Sequence, residues 1–290
     1  MRTEKAEVHM YNNILSRISS EFAGLTKSGK ALADYILKNK TSVQYMSITS
    51  LADASGVSEA SITRFCRNLG LEGYNELKLS LAIAGSPMSE NNFHSEEGKK
   101  GYIEETAGFL LKKNTRAMEE TVSLMNRDAI EKAVRLLREA HRVLCFGQGG
   151  SNVTALEAWA LFSTVSPKFI HISDSHFQAM CTALCGPLDV ILFFSYSGAT
   201  RELKDIIKIS RSLGVKLILI TRYEKTPASR LADVILQCGT NESPLQTGSV
   251  EARISQLFII DYLYSFFCRD EAGAMDAREA TAQATAIKLL

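Results

Sequence analysis

Three hydroxyl residues gathered round one glycine, Ser195, Ser197 and Thr200 with Gly198, follow directly on the apolar run Val190-Ile191-Leu192-Phe193-Phe194. Hydroxyl donors at this spacing suit an anion such as phosphate, provided the chain brings backbone N–H groups to the same place. The apolar run is too short for a stable lone helix and is rich in β-branched and aromatic residues, which suits a strand buried on both faces. Beyond the hydroxyls, Leu203, Ile206, Ile207, Ser210 and Leu213 are spaced as the inner stripe of a helix that ends at Gly214. The unit is therefore strand, hydroxyl loop, helix. In a parallel α/β sheet, ligands gather outside the carboxyl ends of the strands, where helix N-termini present unpaired N–H groups. Two readings fit: the hydroxyls cradle a phosphate, or they merely cap the helix, as Ser and Thr routinely do. Spacing alone leaves both open.

A second element upstream has the same form. Val143-Leu144-Cys145-Phe146 runs into Gly147-Gln148-Gly149-Gly150-Ser151 and then a helix. Ser-x-Ser-Gly-x-Thr after a buried strand resembles the phosphosugar-binding loop of sugar isomerase (SIS) domains, and the upstream glycine loop fits the same resemblance. It covers about residues 128 to 270. It implies a flavodoxin-like domain, a five-stranded parallel sheet covered by helices. It also implies an effector site formed by Ser151, Ser195, Ser197 and Thr200, to which Gly149, Gly198 and Glu251, at the start of the closing helix, are added as candidates.

The elements needed to position these loops can be read from the pattern. Short apolar runs at about 142–147, 168–172, 189–195, 216–221 and 233–238 alternate with helical stretches, as right-handed βαβ crossovers require. Residues 249–268 form a closing helix, rich enough in large apolar groups to serve a dimer interface as well as a core. Ahead of the sheet, Ile103, Ala107, Leu110, Ala117, Met118 and Leu124 mark a long connecting helix. Asn126-Arg127-Asp128 breaks it before a helix holding Ile130, Val134 and Leu137.

The first 85 residues read differently, as an all-α domain. A short helix holds Ile48, Leu51 and Ala52 inward, Gly56 permits a sharp turn, Val57 fills the corner, and Ser58 can cap a second helix. That second helix buries Ile62, Phe65, Cys66 and Leu69. Opposite them project Ala60, Arg64 and Arg67, with Ser61 and Thr63 flanking and Ser58 at the helix start, small or polar groups and cations of the kind a recognition helix brings to the major groove. An ordinary helical hairpin with two surface arginines shares the pattern. The stretch through Leu71-Glu72-Gly73-Tyr74-Asn75-Glu76-Leu77-Lys78 also looks like the N-terminal domain of the RpiR family of bacterial transcription regulators, which joins this domain to a C-terminal SIS domain. The resemblance implies operator DNA, a phosphorylated sugar or amino sugar, and a homodimer or tetramer as partners. The expected organisation is a helix-turn-helix domain over 1–85, a linker and connecting helix over 86–127, the SIS domain over 128–270 and a tail over 271–290.

Composition sets the outer bounds. The 290 residues are 46% hydrophobic with a formal charge of +1, so no global basicity announces a nucleic acid. Residues 1–85 hold ten Lys/Arg against eight Asp/Glu, only marginally basic. The start lacks the apolar core of a signal peptide, and no apolar run approaches a membrane span. The expected location is the cytoplasm, with six scattered cysteines reduced. Cys181 and Cys185 with His176 supply too few ligands for a metal site, and no cofactor is expected. Aldose–ketose isomerisation needs a base, for which Glu251, His171 and His176 are the candidates. A fused DNA-binding module makes better sense when the sugar is read rather than turned over. A domain that only dimerises, its loop vestigial, is the third reading, and the intact hydroxyls speak against it.

Overall fold

The computed structural model describes residues 14–85, 102–240, 244, 249–269 and 273–286. Residues 86–101, the first part of the expected linker and connecting helix, and parts of the tail lie outside the described residues. The chain divides into two compact units that part between Leu110 and Leu111.

The first unit is helical: α1 (Ile14–Glu21), α2 (Lys27–Lys38), α3 (Lys40–Val43), α4 (Ile48–Ser55), α5 (Glu59–Asn68) and α6 (Tyr74–Gly85). One core holds Ile18, Leu32, Ile36, Leu51, Ile62 and Leu77, all essentially inaccessible to solvent. Local chemistry sets the boundaries. Thr26 accepts from Gly29 N at the start of α2, Ser47 from Ser50 N at the start of α4, and Ser58 from Ser61 N at the start of α5. Gly56 ends α4 at φ 69°, a left-handed conformation that a side chain would strain.

The second unit takes in the greater part of α7 (Tyr102–Leu124), then α8 (Arg127–Glu139), β1 (Arg142–Gly147), α9 (Gly150–Phe162), β2 (Phe169–His171), α10 (Ser175–Ala183), β3 (Asp189–Phe194), α11 (Arg201–Leu213), β4 (Lys216–Thr221), β5 (Val234–Gln237), α12 (Val250–Arg269) and α13 (Ala274–Ala286). The five strands form one parallel sheet in the order β2-β1-β3-β4-β5. Alternation along each strand divides the core in two. Val143, Cys145, Val190, Leu192, Phe194, Ile218 and Ile220 face one layer with α8, α9 and α12. Leu144, Phe146, Ile191, Phe193, Leu217 and Leu219 face the other with α11. Strand β3 is buried along its whole length, as its unbroken apolar run requires. At the opposite end from the loops, Arg142 grips Asp189 with two hydrogen bonds, 3.0 and 2.7 Å, pinning β1 to β3.

One expectation changes in detail. Strand β2 is three residues long rather than five, because it sits at the sheet edge and pairs through three positions only. The closing helix α12 gives Ala252, Ile259, Ile260, Leu263, Tyr264 and Phe267 to the core, while Val250 and Leu257 stay exposed and Phe258, Tyr262 and Phe266 half-buried. Exposed large apolar groups also lie on α9 and around α10: Val153, Leu156 and Trp159 on the former, Phe177, Met180 and Leu184 on the latter.

Candidate functional site

The strand order creates the site. Strand β1 leads through α9 to β2 on one side, whereas β3 leads through α11 to β4 on the other. Their two loops leave adjacent strands in opposite directions, and such a switch point opens a crevice outside the carboxyl ends. The glycine loop and the hydroxyl loop flank this point. Helices α9 and α11, each 13 residues long, direct their N-termini, with the positive ends of their dipoles, toward it.

Glycine shapes the first loop for close approach. A side chain at Gly147 would run into the backbone of Ser151 and Asn152, and Gly149 holds φ 54° and ψ −128° just before α9. Ser151 is thereby folded back over the end of β1, half-buried, in the first turn of the helix.

The second loop is tied down by its backbone and leaves hydroxyls over. Ser195 N donates to Ile220 O, Gly198 N to Ser195 O, and Arg222 N to Tyr196 O. Gly198, at φ 58°, sits so close to Thr226 and Thr221 that a Cβ would come within 2.8 and 3.0 Å of their hydroxyls. Ser197 Oγ accepts from Ala199 N at 3.3 Å. Thr200 occupies the N-cap position of α11 but forms no capping bond. Ser195 Oγ and Thr200 Oγ1 are buried with no hydrogen-bond partner in the protein, and Ser195 as a whole is 4% exposed. Buried hydroxyls are normally satisfied, so two orphans facing one loop need an explanation.

Other side chains close in around the loops. Glu251, in the first turn of α12, is buried and forms an ion pair with Lys113 of α7. Thr154 Oγ1 lies 2.9 Å from Ser151 O and 2.8 Å from Gln256 Oε1, binding the start of α9 to α12. His171 Nε2 pairs with Asn152 Oδ1 at 3.0 Å, and burial pushes its pKa below the ordinary histidine value. With the amide oxygen as acceptor, Nε2 carries a proton and donates. His176 is exposed on α10. The buried Gln178 holds Gly147 O and Ile172 O together. Among the described residues no group of three or more His, Cys, Asp or Glu could hold a metal ion.

Lys113, Gln178 and the seat under Gly198 are absent from the sequence reading. Lys113 follows Lys112 in a stretch that looks like a solvated helix face, so no local signal marks it. Gln178 sits among the polar residues of a short helix. The seat of Thr221, Thr226 and Ser229 draws on two separate segments, and only the glycine's φ reveals it.

In the first unit, Arg64 and Arg67 of α5 project into solvent along with Ala60. Ser58 and Ser61 bond each other at 2.9 Å at the helix start, and Thr63 Oγ1 donates to Glu59 O, leaving its oxygen as an acceptor only. Thr49 of α4 donates to Glu59 at 2.5 Å and fixes the two helices against one another.

Residues 12–87 match the helix-turn-helix domain of the rpiR family, and residues 136–265 match the SIS domain. An uncharacterized HTH-type transcriptional regulator of Caldanaerobacter subterraneus is 32% identical over 87% of this chain and 89% of its own. The HTH-type transcriptional regulator HexR of Escherichia coli is 27% identical over 88% of both chains. The Vibrio vulnificus NanR protein, solved in complex with ManNAc-6P, superposes with a TM-score of 0.85 at 24% identity, over 96% of this chain and 99% of that one. With the helix-turn-helix and the switch-point loops in this order, the chain belongs to the RpiR family of transcriptional regulators, an N-terminal helix-turn-helix domain joined to a C-terminal SIS domain.

Proposed function

We propose that the protein is an operator-binding regulator whose SIS domain senses a phosphorylated sugar or amino sugar. The phosphate would lie between the N-termini of α9 and α11, taking hydrogen bonds from Ser195, Ser197 and Thr200 with Ser151 on the facing loop. The observation that carries this reading is the pair of buried, unpartnered hydroxyls at the switch point, Ser195 Oγ and Thr200 Oγ1. An anion placed there uses them together with the first-turn N–H groups of α11, which Thr200 leaves uncapped. The ligand of NanR belongs to the same chemical class and supports the choice.

Sensing is favoured over isomerisation by what surrounds the loop. A carboxylate held in an ion pair, as Glu251 is with Lys113, is a weakened base, and His171 is engaged with Asn152. Recognition of DNA falls to Ser58, Ala60, Ser61, Thr63, Arg64 and Arg67 of the helix-turn-helix. A two-fold operator calls for two copies of the chain. The exposed apolar groups of α9 and α10 supply the surface for that pairing, and Trp159→Glu should shift the protein toward monomer in light scattering.

Thermal unfolding in the presence of a panel of sugar phosphates, with ManNAc-6P included and each sugar repeated without its phosphate, tests the proposal. A ligand at a hundred times its Kd stabilises by about 2.7 kcal/mol. Stabilisation by one or more phosphorylated members, absent with the free sugars, is the expected result. Equal stabilisation by free sugar and sugar phosphate would remove the phosphate from the hydroxyl loop.

A further inference from the structure

Tyr196 lies between the two serines of the hydroxyl loop, and its hydroxyl donates outward, to Thr240 O at 2.9 Å. Thr240 is the only non-glycine with a positive φ among the described residues, at 71°. A β-branched residue occupies that region rarely and only when its surroundings hold it there. Here it is held from both sides: its carbonyl accepts from Tyr196, and its N–H donates to Glu120 Oε2 of α7 at 2.7 Å. The neighbouring Gly239 donates to Thr121 Oγ1 at 2.8 Å and lies so near α7 that a Cβ would come within 2.5 Å of Ala117 O. Ser255 Oγ of α12 reaches the same carbonyl at 3.3 Å. The C-terminal half of α7 is therefore fastened to the segment after β5, and that segment is gripped by the loop proposed to hold phosphate. Toward the N-terminus, α7 runs on in sequence toward the helix-turn-helix unit.

We propose that Tyr196, Thr240 and Glu120 form a relay that passes occupancy of the hydroxyl loop to helix α7. The relay rests on the phosphosugar reading above and adds a route by which that site regulates the rest of the chain. Hydrogen bonds from Ser195 and Ser197 to a bound anion bear on the residue between them, and so on the hydroxyl that fixes Thr240 O. A residue kept in a strained conformation by two clamps has a relaxed alternative when either clamp moves. Its N–H leaves or re-aims Glu120, and the grip on α7 changes. Coupling of this kind requires a differential interaction with two states, which the strained Thr240 supplies.

Hydrogen exchange with mass-spectrometric readout on the full-length protein tests the relay. Inorganic phosphate and ManNAc-6P serve as probes, with the amides of 195–200 and of 113–121 followed separately. In the wild type, the probe should alter exchange in both segments. In Tyr196→Phe, which keeps the ring and removes the hydrogen bond to Thr240 O, 195–200 should still respond while the response of 113–121 falls by roughly 2- to 12-fold, the range for a neutral hydrogen bond. Glu120→Ala should act alike from the other end, and the double variant should lose no more than either single one. The relay is overturned if 113–121 responds as in the wild type in both variants, or if 195–200 responds in the wild type and 113–121 does not. Should 195–200 itself ignore both probes, the phosphate reading fails and the relay falls with it.

Discussion

Replacing Ser195 by alanine should move stability and ligand affinity in opposite senses. In the free protein the Ser195 hydroxyl is buried without a partner, and an unsatisfied buried polar group costs about 1–3 kcal/mol. Removing it takes away that cost and leaves Cβ in place, so Ser195→Ala should unfold at the same midpoint or later, with a gain of up to about 2 kcal/mol. Binding should go the other way. A hydrogen bond to a charged group contributes about 1.5–3 kcal/mol, so affinity for a sugar phosphate should fall by roughly 10- to 150-fold. Ser229 supplies the contrast: its hydroxyl accepts from Thr226 N at 2.7 Å and donates to Thr226 O at 3.0 Å. Ser229→Ala strips a partner from buried backbone and should cost about 1–3 kcal/mol. Urea unfolding gives the stability difference and titration calorimetry the affinity, for both variants under one set of conditions. If Ser195→Ala is destabilised by more than 1 kcal/mol and binds sugar phosphate as tightly as wild type, the orphan hydroxyl has a structural role and does not hold the phosphate.

Arg64→Ala with Arg67→Ala should weaken binding to a duplex selected from a random pool by about 1–3 kcal/mol for each side chain that reads a base, or flatten the salt dependence by about one for each phosphate contact; unchanged binding in a gel-shift at two salt concentrations would remove α5 from recognition. The Arg142 guanidinium, bonded to Asp189, holds that carboxyl below its ordinary value. The unfolded chain then takes up the proton at the higher pH, so the clamp's contribution is fully present above the ordinary aspartate range and is lost as pH falls through the lower folded value. Asp189→Asn should cost about 1–2 kcal/mol at pH 7, allowing for the half-exposed arginine, and acid titration of its unfolding should lack that window.

The parts of this fold that were legible in sequence are those written in local pattern. Five consecutive apolar residues from Val190 state a strand covered on both faces, and Gly56 between two amphipathic stretches states a turn. The spacing of Ile62, Phe65, Cys66 and Leu69 gives the buried side of α5 without further help. What escaped depends on contacts between distant segments. Glu251 looks like a helix-start acid or a catalytic base until Lys113, 138 positions earlier, is found against it. Thr200 looks like a helix cap, and only the geometry reveals that its hydroxyl caps nothing. Tyr196 reads as one more aromatic near a strand end, since its partner Thr240 lies 44 residues on.

The six cysteines, all free, divide between the two units in a useful way. Cys66 is in the core of the helix-turn-helix unit, and Cys145 and Cys238 are in the core of the sheet. Burial pushes the Cys66 thiol up to about 12 and raises that of Cys145 further, so neither offers thiolate to an alkylating reagent while its unit stays folded. Cys181 and Cys268, only partly buried, label first and mark the starting state. Pulsed alkylation of the native sequence therefore times the opening of each unit separately, with no engineered probe. It would show whether a sugar phosphate slows the opening of the sheet alone or of the DNA-binding unit as well.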